Sequence, residues 1–149
     1  MSTAPATAPV IEDIGADHTA DIAAIEQIIA NAQTAFNSND ADLLAADFAA
    51  NAAVGNAVGR VMHGIDTMRE ASRAGFAGFL KDEYARYDVA DITFVRPDLA
   101  LAHKLAYETT PTGELIHPEP AMVALYVLVK ENGRWWTVAR QNTLIPRAE

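Results

Sequence analysis

The chain has 149 residues, enough for one domain with a sizeable core, and 50% of them are hydrophobic against 21% charged. Eleven Lys plus Arg against 20 Asp plus Glu give a formal net charge of −9, which argues against a phosphate-tracking surface and so against a nucleic-acid partner. With no cysteine there is no disulfide, thiol nucleophile, zinc knuckle or iron–sulfur site. No apolar run approaches the length of a membrane span. The first ten residues lack the basic start and continuous apolar segment of a secretory signal, so the expected setting is the cytoplasm, without a membrane partner.

Met1 to Asp17 is rich in Ala, Pro and Thr and shows no sustained period; it reads as a flexible arm (1–17) before a single domain (18–149). Ile22, Ile25, Ile29, Ala32 and Phe36 then recur at spacings of three and four, one stripe of an amphipathic helix. Thr19 or Asp21 can cap its start, and Asn37-Ser38-Asn39 ends it. Asp40 caps a short second helix whose Leu43, Leu44 and Phe48 face the core. Two short extended pieces follow, 53–57 and 60–63, hinged at Gly59. Gly64-Ile65-Asp66 opens a third helix with Ile65, Met68, Ala71 and Ser72 on one side.

Tyr84 to Arg96 alternates as a long strand, Pro97-Asp98 turns it back, and Leu99 to Thr109 forms the next. A connection with three prolines leads to 121–144, where two β-rich runs flank Asn132-Gly133, a dipeptide suited to a two-residue type I′ turn. Glu131 then opposes Arg134. Continuing that register pairs Val129 with Trp136, Val127 with Val138, Leu125 with Arg140 and Val123 with Asn142. The other face carries Lys130, Trp135, Leu128, Thr137, Tyr126, Ala139, Ala124 and Gln141. Both faces are largely apolar, which predicts a central hairpin covered on each side. Helices interleaved with a short hairpin and followed by four long antiparallel strands make the chain α+β.

Four strand residues carry candidate chemistry. His103 and Tyr107 lie four apart and share a face with Leu99, Leu101 and Leu105, while Lys104 and Glu108 point the other way. An imidazole and a phenol on an apolar wall can move a proton or hold a polar substrate atom; a core histidine on a backbone carbonyl is the structural alternative. Arg140 and Asn142 share the face of Trp136 in the regular register. A guanidinium among valines needs a partner, either a ligand carboxylate, thioester carbonyl or enolate, or an acidic residue across a dimer interface. If the opposite face lines a pocket, Tyr126, Gln141 and Thr143 are the rival set. The four histidines show no metal-ligand spacing, no Ser-centred elbow is present, and no dinucleotide, haem or flavin signature occurs, so neither metal nor cofactor is expected.

Five phrases carry a family resemblance: a first helix ending Thr-Ala-Phe-Asn-Ser-Asn-Asp-Ala-Asp-Leu-Leu, then Ala-Val-Gly-Asn56, Met-His-Gly-Ile-Asp-Thr-Met, the Pro97-Asp-Leu-Ala-Leu-Ala turn, and the closing Asn-Gly-Arg-Trp-Trp-Thr-Val-Ala-Arg-Gln-Asn-Thr. With them the succession of elements from Asp21 to Leu144 resembles the nuclear-transport-factor-2-like superfamily, and within it the SnoaL-like proteins. The last phrase is similar to the SgcJ/EcaC-like group encoded with enediyne polyketide pathways. The resemblance implies a cone: a strongly bent mixed or antiparallel sheet wrapped around a long N-terminal helix, three helices in all, with a pocket at the open end. It also implies a homodimer through the outer sheet face. Asn56 sits where the first strand approaches the pocket mouth in that family, which makes it a ligand contact; a turn-stabilising amide is the competing role.

The functional expectation is a cofactor-free pocket for a hydrophobic, polyketide-derived small molecule. If it catalyses, isomerisation, aldol-type cyclisation or dehydration fits, with His103 or Tyr107 moving the proton, Arg140 or Asn142 stabilising oxyanion charge, and Tyr126 and Trp136 contacting the ligand. The alternative is a non-catalytic binding or scaffolding module that supports a partner polyketide synthase. Superfamily membership does not choose between them.

Overall fold

The computed structural model describes residues 7–147. Three helices, α1 (Thr19–Ser38), α2 (Ala41–Ala45) and α3 (Ile65–Ala77), accompany six strands: β1 (Phe48–Gly55), β2 (Val61–His63), β3 (Tyr84–Arg96), β4 (Leu99–Thr109), β5 (Met122–Glu131) and β6 (Arg134–Leu144). The strands form one sheet in the order β2-β1-β6-β5-β4-β3. Only β1 against β6 is parallel, so the sheet is mixed. Register shifts in the β1–β6, β3–β4 and β5–β6 pairs bend the strands into a cone-like wrap around α1.

The helix stripe rotates slightly from the expected one. Ile25, Ile28, Ile29, Ala32 and Ala35 are buried, while Ile22 is 39% exposed. The three isoleucines pack on Phe94, Ala100, Ala102, Ala124, Tyr126, Leu128 and Trp135, which all point to the concave face of the sheet. Alanine at three of those positions lets a helix approach the sheet closely. A second cluster, Ala45, Phe48, Ala52, Val54, Met62 and Met68, joins α2, α3, β1 and β2.

Neither Thr19 nor Asp21 caps α1. His18 stands at the cap position without a side-chain cap bond, and Asp17 accepts from Thr19 N at 3.0 Å. Asp21 is instead drawn to the hairpin, accepting from Trp135 Nε1 at 2.9 Å and Lys130 Nζ at 3.0 Å. Asp40 does cap α2, through Leu43 N at 3.0 Å. That helix stops at Ala45, and Phe48 begins β1, earlier than the expected strand start. The spacing of Leu44 and Phe48 mimics a helix, but the chain straightens where Asp47 O takes Thr137 N at 2.9 Å.

Strands β3 and β4 and the Asn132-Gly133 turn agree with expectation. Asn132 and Gly133 take φ of 52° and 78°, and Glu131 faces Arg134. The regular register holds only to Leu128–Thr137. There a bulge inserts Val138, so Val127 faces Ala139 and Tyr126 faces Arg140. Beyond it every β6 side chain changes sides.

Of the expected arm, residues 1–6 lie outside the described residues. Residues 7–17 form no helix or strand, but Asp13 is tied down: its N–H donates to Phe94 O at 2.7 Å and its carboxylate meets His18 Nε2 at 2.8 Å.

Candidate small-molecule pocket

The bulge decides the composition of the concave face. Tyr126 and Arg140 become direct cross-strand partners, and Ala124 faces Asn142. One row further across β4 lies Lys104, opposite Ala124. Lys104, Ala124 and Asn142 therefore stand side by side, with Tyr126 and Arg140 in the adjacent row. Arg140 and Asn142 are thus not on the face of Trp136, as the unbroken register predicts. They join Tyr126, the residue expected opposite them, while Gln141 and Thr143 turn outward.

This polar group is poorly satisfied. Tyr126 Oη, Thr137 Oγ1, Arg140 Nε and Asn142 Oδ1 are buried without a hydrogen-bond partner among the described residues. Neither Arg140 nor Lys104 forms an ion pair among the described residues. The guanidinium carbon of Arg140 lies 5.7 Å from the Phe48 ring centre. Lys104 is 3% exposed, its Nζ 3.7 Å above the Tyr87 ring and 5.6 Å from that of Tyr126. Burial, and then the positive charge of Arg140, hold the Lys104 amine well below its usual pKa. Burial raises the phenols of Tyr87 and Tyr126 against the opposing pull of Arg140, so both stay protonated donors.

Arg140 and Asn142 form the floor of a cavity of about 280 Å³ at the open end of the cone. Its walls are Phe36 and Leu44 from the first two helices, Met62 from β2, and Phe76, Phe79 and Leu80 from α3 and the segment after it. A neighbouring depression of about 270 Å³ reaches Ala106, Met122 and Leu144 and shares Phe36, Phe79 and Leu80 as a partition. Phe79 is 81% exposed at this mouth. Apolar walls over a cationic floor suit an amphiphilic small molecule.

Asn56 lines the same cavity, and its side-chain oxygen serves the turn, accepting from Val58 N at 3.1 Å and Arg60 N at 2.9 Å. The turn role and the wall position therefore coexist. Gln141 closes this corner: it donates to Asn56 O at 3.3 Å, and a Cβ on Gly55 would fall 1.9 Å from its side-chain oxygen, so a larger residue there would displace the Gln141 amide.

His103 and Tyr107 do share a face with Leu99, Leu101 and Leu105, but it is the convex one. His103 Nδ1 bonds Asp91 Oδ1 at 2.8 Å with the side chain 45% exposed, away from the cavity. Tyr107 stacks with the Arg86 guanidinium at 4.7 Å and touches only the rim of the second depression. Trp136 also lies outside, under the Arg134 guanidinium at 3.7 Å. Alternation places such residues on a common face; it does not say whether that face is concave. Lys104, flanked by Ala102 and Ala106, is the interior residue that the sequence reading passed over. The alternating alanines of β4 were the available signal, because a helix can lie close only on the face of small residues. Among the described residues no cluster of His, Asp and Glu is arranged to hold a metal, and no helix is long and apolar enough to cross a membrane.

The comparisons agree with this architecture. A SnoaL-like domain family model matches residues 17–141. A domain of unknown function with a cystatin-like fold from Nostoc punctiforme superposes with a TM-score of 0.76 at 22% identity, over 87% of this chain and 80% of that one. A ketosteroid isomerase-like protein from Erwinia carotovora atroseptica gives 0.68 at 20% identity, over 87% and 99%. An NTF2-like protein of unknown function from Pseudomonas putida gives 0.68 at 18%, over 88% and 91%. At such identities the likeness is one of fold alone. No curated protein matches the sequence significantly. The match over most of the chain, together with the bent sheet around α1, makes this chain a member of the SnoaL-like domain family, with a nuclear-transport-factor-2-like fold.

Proposed function

We propose that this protein receives an apolar, polyketide-derived small molecule in the mouth of the cone, with a carboxylate, thioester carbonyl or enolate oxygen set against Arg140 and Asn142. The observation that carries this is the Arg140 guanidinium on the cavity floor, without a carboxylate partner among the described residues and with Nε buried and unbonded. A half-buried cation whose Nε is shut off from water without a partner costs the fold stability, and an anionic ligand supplies what is missing. Where the protein catalyses, cofactor-free isomerisation, cyclisation or dehydration follows from the same floor: Arg140 and Asn142 stabilise oxyanion charge, and the Tyr126 hydroxyl takes the proton-transfer role first expected of His103 and Tyr107. An enediyne pathway is the setting suggested by the closing hairpin phrase, and the cytoplasm the matching compartment.

A non-catalytic binding or scaffolding role beside a partner synthase is favoured by one feature: among the described residues no carboxylate joins the interior polar group as a general base. Both readings place the protein as a homodimer. Leu99, Leu101, Leu105, Val123, Leu125, Val127 and Val129 leave a partly exposed apolar band on the convex face, and the helices cover only the concave one.

The test is titration with a fluorescent conjugated-tetraene fatty acid, which combines a polyene with a carboxylate. Wild type is expected to bind it, and Arg140→Met to weaken binding by roughly 10–100-fold, the worth of a lost charge-assisted hydrogen bond of about 1.5–3 kcal/mol. Equal affinity in both proteins, or no binding to wild type, defeats the proposal.

A further inference from the structure

The chain has three lysines, and two of them are ordinary: Lys81 is exposed, and Lys130 is bonded to Asp21 at 3.0 Å. Lys104 differs in every respect. It is 3% exposed, and among the described residues it has no ion pair. What faces it is two tyrosine rings, those of Tyr87 and Tyr126, and a second cation, Arg140. An amine buried away from water and beside another positive charge is disfavoured as an ammonium, and a neutral lysine amine is a nucleophile.

Small side chains adjoin it. Ala124 separates Lys104 from Asn142 on the cavity floor, and Ala106, two residues on, lines the second depression. Phe36, Phe79 and Leu80 are common to both depressions, and Phe36 alone of the three pairs with the ring under the Lys104 amine: its centre is 6.2 Å from that of Tyr87 and 6.1 Å from that of Phe76. Phe36 thus joins the wall of the mouth to the ring beneath the amine.

We infer that Lys104 is a carbonyl-reactive site: its amine forms a reversible imine with an aldehyde or ketone carbon of a small molecule that enters past Phe36. The inference rests on the reading of the cone interior as a small-molecule pocket and deepens it, naming carbonyl compounds as the class. The nitrogen lone pair forms the new C–N bond while the carbonyl π pair moves to oxygen. That oxygen leaves as water, both of its protons coming from the amine nitrogen and relayed by the Tyr126 hydroxyl, which has no other partner among the described residues. The sum is amine plus carbonyl giving imine plus water, with no oxidant or reductant required. When protonated, the imine withdraws electrons from the neighbouring C–H bond. That is the activation a cofactor-free isomerisation or aldol-type cyclisation needs.

The full chain is incubated near neutral pH with octanal and sodium cyanoborohydride, and the reduced adducts are mapped by peptide mass spectrometry. Burial and the neighbouring Arg140 charge keep the Lys104 amine from protonation, so Lys104 should be labelled faster than Lys81 and Lys130 by at least on the order of tenfold. Phe36→Ala should accelerate labelling at Lys104, and Lys104→Met should leave only slow background at exposed amines. The conjugated-tetraene fatty acid is titrated in parallel. If that acid binds while octanal marks only Lys81, Lys130 and the N-terminus, the Lys104 assignment is overturned and the pocket stands. If the acid does not bind and Lys104 is unlabelled, both fall.

Discussion

Replacing Asp21 should be among the most damaging single changes in this fold, and its cost can be worked from three bonds. The carboxylate is 13% exposed and accepts from Trp135 Nε1 at 2.9 Å, Lys130 Nζ at 3.0 Å and His18 Nδ1 at 3.2 Å. Trp135 is 3% exposed, so Asp21→Ala leaves its indole N–H buried and unpaired, at about 1–3 kcal/mol. Lys130 is 37% exposed and water replaces its partner cheaply, so that pair adds no more than about 1 kcal/mol. The expected total is about 1–4 kcal/mol. For a chain of this size each kcal/mol moves Tm by roughly 2–4 °C, giving a fall on the order of 10 °C. Asp21→Asn keeps an acceptor for the indole and should cost about half as much. Chemical denaturation monitored by tryptophan fluorescence checks both. A cost below about 1 kcal/mol for Asp21→Ala would refute the claim that this carboxylate pins the start of α1 to the terminal hairpin.

The same cluster makes stability depend on pH. Burial lowers the pKa of His18, but bonds to Asp21 and Asp13 outweigh it and the net shift is upward, so His18 stabilises the fold below about pH 6.5 and that contribution is lost as pH rises through the elevated value. Tm should therefore decline between pH 6 and 8.5, and His18→Gln should flatten that slope; an unchanged slope would clear His18 of the effect. On the convex face, Leu125→Asp should turn a dimer into a monomer in light scattering, with wild type burying at least roughly 1,600 Å² between subunits. A wild type that is monomeric at micromolar concentration would remove the dimer.

Much of the fold was legible because its signals are local. Pro97-Asp98 and Asn132-Gly133 are turn chemistry, and the strands beside them alternate cleanly, so β3, β4 and the terminal hairpin fall where the sequence places them. The start of β1 was not legible, because Phe48 repeats the helical spacing of Leu44 and only a tertiary bond from Thr137 to Asp47 straightens the chain there. The site was half legible. Arg140, Asn142 and Tyr126 were named, but divided between opposite faces. The bulge at Val138 carries no glycine or other local mark, and one extra residue inverts the facing of all that follow. His103 and Tyr107 were paired correctly and placed on the wrong side of the sheet, since apolar residues line both sides.

The concave polar group also differs in kind from the fold's other charged contacts. Asp47 with Arg134, Glu108 with Arg147 and Asp42 with Arg73 each join opposite signs at the surface. Inside the cone the arrangement is reversed: two basic side chains, Lys104 and Arg140, share a space with two phenols and an amide, several of their polar atoms unbonded. Packing supplies no reason for it, because apolar side chains of similar volume would fill the same positions without the desolvation that charge incurs. Hydrogen bonding within the protein supplies none either, since Tyr126 Oη, Thr137 Oγ1, Arg140 Nε and Asn142 Oδ1 have no partner among the described residues. What the arrangement does fit is a guest that brings its own acceptor oxygen and an apolar body for the walls of Phe36, Met62 and Phe76. The local rules of folding are broken where a ligand would complete them, and in the described chain that place is the floor of the cone.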